Sequence, residues 1–146
     1  AMALAYARLI SPPAGFDDAT RRACQRIVRV MNAYPELIGG TSNRLDTELM
    51  RAAPGRLVSK VGAEGVYTAG INPSERWRKG LGLAIKIEDG DDKRARPTVV
   101  IEALRQLDVL PDESLQAVAR YAFFPVLNRR GDVVGEVSAS FKLRIQ

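Results

Sequence analysis

An α+β fold, an antiparallel sheet flanked by helices, is the architecture this sequence predicts, and three observations point to it. Segments 57–61, 66–71 and 81–87 are apolar or alternating and are separated by turn-forming residues, the pattern of an antiparallel meander. Helical periodicity brackets them on both sides, over 18–34 and 96–107. Near the end, Asn128-Arg129-Arg130-Gly131-Asp132 stands between two apolar runs and reads as a hairpin turn.

Each element follows from local chemistry. Residues 1–10 are helical in composition from the first position, with no Ser, Thr, Asp or Asn ahead of them to cap the helix. Ser11-Pro12-Pro13-Ala14-Gly15 stops it, because proline lacks the N–H a helix needs and biases its predecessor toward extended backbone. Asp17 or Asp18 then caps a second helix. Its apolar positions Ala23, Ile27, Val30, Met31 and Tyr34 recur with the helical period and are expected to face the core, with Arg21, Arg22, Arg26 and Arg29 mostly elsewhere. Gly39-Gly40-Thr41-Ser42-Asn43 reads as a turn whose two hydroxyls cap a short helix over 44–53. That helix sends Leu45, Leu49 and Met50 inward and stops at Pro54-Gly55.

In the third strand Leu81, Leu83, Ile85 and Ile87 share one face and Gly82, Ala84 and Lys86 the other, so something can pack closely on the second. That face and the uncapped first helix are the expected sites of exposed apolar surface, and such patches favour a homo-oligomer. Lys86 is expected to pair with Glu88 and Asp89. Asp112 is expected to cap a helix over 113–122, ahead of the hairpin over 124–142. The chain therefore reads as one unit over 1–146: helices to 54, a strand meander over 56–88, helices over 94–122 and the hairpin.

Composition removes whole classes of chemistry. With 146 residues, 46% hydrophobic and 27% charged, the chain has the balance of one globular domain. It has no histidine and one cysteine, Cys24, which excludes a histidine triad, a His/Cys zinc site and an internal disulfide framework. No cofactor or metal is expected. Apolar stretches are interrupted by charge well short of a membrane span, and no secretory leader pattern is present, so the reading is a cytoplasmic protein with no membrane partner. The net charge of +5 is scattered, without interleaved aromatics, which argues against a nucleic-acid partner.

Catalysis is thus left to Ser, Lys, Asp, Glu and Tyr, and Lys60 is the candidate. A lysine in a desolvated cleft accepts protons and activates a neighbouring serine without histidine. The plainer reading is a lysine extending along a strand into solvent. Downstream, Gly62 and Ala63 offer N–H groups to a developing oxyanion, against the alternative of an ordinary strand end, and Glu64 is a candidate for a substrate ammonium or a solvated turn carboxylate. Ser59 points to the opposite face from Lys60 and is not its partner. No serine in the chain begins a Ser-x-x-Lys motif.

Several blocks, in order, carry a resemblance: Tyr34-Pro35-Glu36-Leu37-Ile38-Gly39-Gly40-Thr41, Asp46-Thr47-Glu48-Leu49-Met50, Lys60-Val61-Gly62-Ala63-Glu64-Gly65 and Gly80-Leu81-Gly82-Leu83-Ala84-Ile85-Lys86-Ile87-Glu88-Asp89-Gly90. Together they resemble the bacterial type II, thermolabile L-asparaginase family. The resemblance implies the C-terminal part of a serine β-lactamase-like fold that hydrolyses L-asparagine to aspartate and ammonia. It implies that Lys60 is the lysine of a second Ser-Lys pair, and that the nucleophilic Ser-x-x-Lys belongs to an N-terminal portion of the same protein. Val61 stands where the family usually has threonine, and Asp46 where some members carry cysteine; the family's metal-ligand cysteines have no counterpart here, so the resemblance implies no metal. A non-catalytic binding domain that keeps the scaffold is the competing expectation.

Overall fold

Three antiparallel strands, β1 (Leu57–Val61), β2 (Val66–Ile71) and β3 (Leu81–Lys86), form a sheet in the order β1-β2-β3. The coordinates are a computed structural model and describe residues 1–144. The register pairs Val61 with Tyr67 and Tyr67 with Ile85, and Val58 with Gly70 and Gly70 with Gly82. Alternation therefore places Leu57, Ser59, Val61, Tyr67, Ala69 and Ile71 on one face and Val58, Lys60, Thr68, Gly70 and Gly82 on the other.

The first face is the core side. Helices α4 (Leu45–Ala52) and α5 (Arg96–Gln106) bring Leu49, Met50, Val100 and Leu104 into the same buried cluster as Leu57, Tyr67 and Ala69. A 3₁₀ turn, Ala119–Tyr121, adds Tyr121.

Helix α1 (Met2–Ile10) covers the second face, over two glycines. A Cβ on Gly82 would stand 1.8 Å from the Ala3 carbonyl oxygen, and one on Gly70 would stand 2.5 Å from Ile10 Cγ1. Backbone lies on backbone here, which only glycine permits. The expectation that the Gly82 side stays open is thus corrected: α1 closes it, while Ala84 remains exposed.

Helix α2 (Asp18–Ala33) carries the larger correction. Its cap is as expected, with Asp17 accepting from Thr20 N–H at 2.8 Å. Yet Met31 is its one buried residue, and Val28, not Ile27, packs toward the core. Ile27 is 47% exposed, Val30 42% and Tyr34 54%, and beyond the helix Leu37 is 78% exposed. The helix is rotated so that Ile27, Val30 and Tyr34 of the expected stripe face outward, while Met31 keeps its expected place in the core. A short helix α3 (Pro35–Gly39) follows where the sequence suggested only chain leading to a turn, with proline in its first turn.

Smaller differences have local causes. Helix α4 has Arg44 at its cap with no side-chain cap bond, so Thr41 and Ser42 do not cap it. Thr47 instead donates from Oγ1 to the carbonyls of Gly40 (2.7 Å) and Pro35 (3.2 Å), tying α3 to α4. Asp112 lies inside α6 (Asp112–Ala117), capped by Pro111, and the helix stops at Val118, whose non-helical backbone buries its side chain completely. Lys86 donates to the carbonyls of Glu64 and Ile87 rather than pairing with Glu88 or Asp89.

The hairpin of β4 (Phe123–Leu127) and β5 (Val133–Ser138) stands apart as its own two-stranded sheet. Asn128 builds its turn by accepting from Arg130 N–H and Asp132 N–H on Oδ1. Leu127, Val133 and Val134 are exposed on it. The accessible surface of the chain is 9349 Å², whereas a compact monomer of this mass exposes about 7,400 Å². The excess accompanies this hairpin and the outer stripe of α2. No helix among the described residues is long and apolar enough to cross a membrane.

The rotation of α2 is directly testable by stability. Ile27→Ala is expected to change unfolding free energy by less than ~0.5 kcal/mol, whereas Met31→Ala is expected to cost ~2 kcal/mol or more. Urea unfolding of both variants checks it, and a comparable cost at the two positions would restore the orientation read from periodicity.

Candidate active site

A cleft of about 590 Å³ opens where the end of β1 meets the starts of α4 and α5. Its volume is in the range of small-molecule sites. Lys60, Gly62 and Ala63 line it together with Arg44, Asp46 and Arg96. The three stretches of chain are far apart in sequence, and the fold gathers them.

Asp46 organises the cleft. Strand β1 is an edge of the sheet, and the N–H of Val61 faces away from β2. Asp46, whose side chain is 2% exposed, accepts that N–H on Oδ2 at 2.9 Å. The same oxygen lies 4.0 Å from Lys60 Nζ. A buried carboxylate thus receives both a strand-edge donor and a cation, which is how a buried charge is made tolerable. Lys60 donates to the Val61 carbonyl at 2.7 Å, and its side chain is 43% exposed. It curls over the strand edge into the cleft mouth.

The two candidate oxyanion amides differ. Gly62 N–H donates to the Val66 carbonyl at 2.9 Å and is committed to the sheet. Ala63 N–H makes no hydrogen bond among the described residues, and Ala63 is exposed to the cleft. Glu64 is not gathered in. It sits at φ 55° in the tight turn to β2, exposed and outside the cleft lining. Only the backbone of this turn is anchored: Lys86 holds the Glu64 carbonyl, and Gly65 N–H donates to Asp92 Oδ1 at 2.8 Å.

Arg96 fastens the far wall, donating to the Gly62 carbonyl at 3.1 Å and pairing with Asp92. Below it, Tyr67 is fully buried on the core face with no hydrogen-bond partner for its hydroxyl, and Ser59 Oγ is equally orphaned. Burial first, then the negative charge of Asp46, pushes the Tyr67 phenol far above its ordinary range; the nearby Ser59 opposes this only in part. Tyr121 is also raised, by burial and then by the Glu48 carboxylate that accepts its hydroxyl at 3.0 Å.

The L-asparaginase II family profile matches residues 1–139. The chain belongs to the L-asparaginase II family. Among curated proteins none matches it significantly. The match takes in every wall of the cleft, from Asn43 to Phe124. A metal does not fit these residues: the cleft has no cysteine or histidine, and its buried carboxylate already faces an ammonium and a strand N–H.

Sequence reasoning found the Lys60 strand and missed most of its surroundings. Asp46 offered no signal of its destination, because an acidic residue in the first turn of a helix is the usual favourable charge there. Arg96 and Tyr67 carried no signal of their own beyond a place at the start of a predicted helix and within a predicted strand. A second hollow, about 660 Å³, lies along Arg22, Arg26 and Arg29, but all its lining comes from α2.

Two outcomes follow from the electrostatics. Asp46→Ala leaves the Val61 N–H without its acceptor and is expected to destabilise the fold by ~1–3 kcal/mol, with Asp46→Asn, which keeps an acceptor oxygen, losing less; thermal unfolding reports both. A folded phenol held above its unfolded value near 10 keeps its proton where the unfolded chain gives one up. Stability is therefore intact below pH ~10 and declines as pH rises beyond it. Tyr67→Phe should flatten that alkaline decline, leaving the part due to Tyr121, and should cost little at pH 7 because the lost hydroxyl had no partner.

Proposed function

We propose that this chain is the lysine-bearing part of a serine amidohydrolase that converts L-asparagine to L-aspartate and ammonia. The observation that carries the proposal is the position of Lys60, its ammonium at the mouth of a cleft that also presents a free backbone N–H, in a chain of the L-asparaginase II family. The nucleophilic serine comes from outside these 146 residues: no Ser-x-x-Lys occurs in the sequence, and Lys60 makes no contact with a serine hydroxyl among the described residues. Its source in this reading is the N-terminal portion of the same protein, in a serine β-lactamase-like arrangement.

The reaction then runs as acyl transfer. The serine hydroxyl attacks the side-chain amide carbon while its proton passes to Lys60 or to the lysine of the serine's own motif. Ala63 N–H stabilises the oxyanion. The C–N bond breaks as the proton is delivered to the leaving nitrogen, releasing ammonia. Water then cleaves the ester to give aspartate and free serine. Asp46 holds Lys60 at the strand edge, and Glu64 is left without a role in substrate binding. Val61, in place of the usual threonine, removes a hydroxyl next to Lys60.

The exposed stripe of Ile27, Val30, Tyr34 and Leu37 is the surface on which association, with the remaining part of the protein or as a homo-oligomer, is expected. The absence of a nucleophile favours one second reading, a binding domain with no turnover.

Ammonia release decides between them. The 146-residue chain alone is expected to release no ammonia from L-asparagine. Joined to a portion that supplies Ser-x-x-Lys it is expected to turn over, with Lys60→Ala lowering the rate ~10²–10⁴-fold and Val61→Thr raising it or leaving it unchanged. Turnover by the isolated chain that survives Lys60→Ala would overturn the assignment.

A further inference from the structure

The charges around the cleft do not cancel. Arg44, Lys60, Lys93 and Arg96 line it against Asp46 and Asp92. Arg96 is paired with Asp92 and bonded to the Gly62 carbonyl, and Lys60 lies against Asp46 and the Val61 carbonyl. Two cations remain. Neither Arg44 nor Lys93 forms a side-chain hydrogen bond or ion pair among the described residues.

Arg44 differs from Lys93 in being held in place. Gly40 has φ +101°, and a Cβ built there would lie 3.3 Å from Arg44 Cγ, 3.7 Å from Cδ and 3.9 Å from Nε. The stem of Arg44 therefore lies flat along the Gly40 backbone, whose own conformation disfavours any side chain. Gly40 is fixed in turn by its carbonyl accepting from Thr47 Oγ1 at 2.7 Å and its N–H donating to the Glu36 carbonyl at 2.9 Å. An exposed arginine normally spends its rotamer freedom in water; this one has its stem laid down and its fork unspent at the rim of a cleft.

A planar guanidinium with two parallel N–H groups matches a carboxylate in bidentate fashion, which an ammonium does not. We infer that Arg44 is a specificity-determining residue of this cleft, binding the α-carboxylate of a free amino-acid substrate. The preferred ligand class is then an amino acid with its carboxylate free and a short side-chain amide directed at Lys60 and Ala63. Asparagine within a peptide, or with its α-carboxyl amidated, lacks the group that Arg44 reads. The inference rests on the amidohydrolase reading of the same cleft for the direction of the side-chain amide, but not for the carboxylate contact.

Binding, not turnover, tests it, so failure of the hydrolysis reading leaves this result separately visible. The probes are L-asparagine, L-aspartate and L-asparaginamide, titrated into the 146-residue chain and followed by amide chemical shifts at Gly62 and Ala63. L-asparagine and L-aspartate are expected to shift these signals, with L-asparaginamide at least tenfold weaker. Arg44→Gln is expected to weaken both carboxylates at least tenfold while leaving L-asparaginamide unchanged, and Arg44→Lys to restore charge but only part of the affinity. Gly40→Ala, which displaces the arginine stem, should mimic Arg44→Gln. Melting temperatures of each variant confirm the fold. Equal binding of L-asparagine and L-asparaginamide, wild-type affinity in Arg44→Gln, or no shift with L-asparagine at tens of millimolar would each overturn the inference.

Discussion

Everything in this structure hangs on a contact between two backbones. Helix α1 lies on the sheet at Gly70 and Gly82, and a single methyl group at Gly82 would have to occupy the space of the Ala3 carbonyl. Because α1 closes that face, the other face of the same three strands is free to form the core with α4 and α5. A three-stranded sheet with one bare face would have little independent stability. With a helix on one side and the core on the other, β1 becomes a rigid rail. Its open edge is then the one place where its polar groups still need partners.

That edge is where structure turns into chemistry. The N–H of Val61 requires an acceptor, and Asp46 supplies it from the first turn of α4. The same carboxylate draws the Lys60 ammonium over the edge. A requirement of folding, satisfying an edge donor, thus fixes the position of the group with catalytic potential. The orphaned hydroxyls of Tyr67 and Ser59 beneath it belong to the same arrangement.

The outer surface follows a different logic. Helix α2 has two apolar stripes, one through Val28 and Met31 and one through Ile27, Val30 and Tyr34, and only the first meets the core. The Arg21 side chain helps to choose between them: it donates from Nε to the Phe16 carbonyl at 2.9 Å and also to the Ala14 carbonyl, which pins the start of the helix. Helix α2 then presents Ile27, Val30 and Tyr34 to solvent, between arginines. The excess surface of the chain accompanies this stripe and a hairpin whose Leu127, Val133 and Val134 face solvent.

The sequence by itself determined the elements and the family resemblance, because both are local. Turn residues, alternation and blocks such as Lys60-Val61-Gly62-Ala63-Glu64-Gly65 can be read without knowing what lies across the fold, and the three strands of the meander appear within a residue of where they were expected, although the second strand of the hairpin ends at Ser138 rather than near 142. The rotation of α2 was not legible, since two stripes with the same period compete and only contact with α1 and the sheet selects one. The role of Asp46 was equally hidden: its partners lie 14 and 15 residues away, on a strand whose free edge exists only after the sheet forms. The same is true of Ala63, whose N–H is free because Gly62, next to it, bonds across the turn to Val66. Tertiary structure decided which polar groups were used up in holding the fold together and which were left facing the cleft.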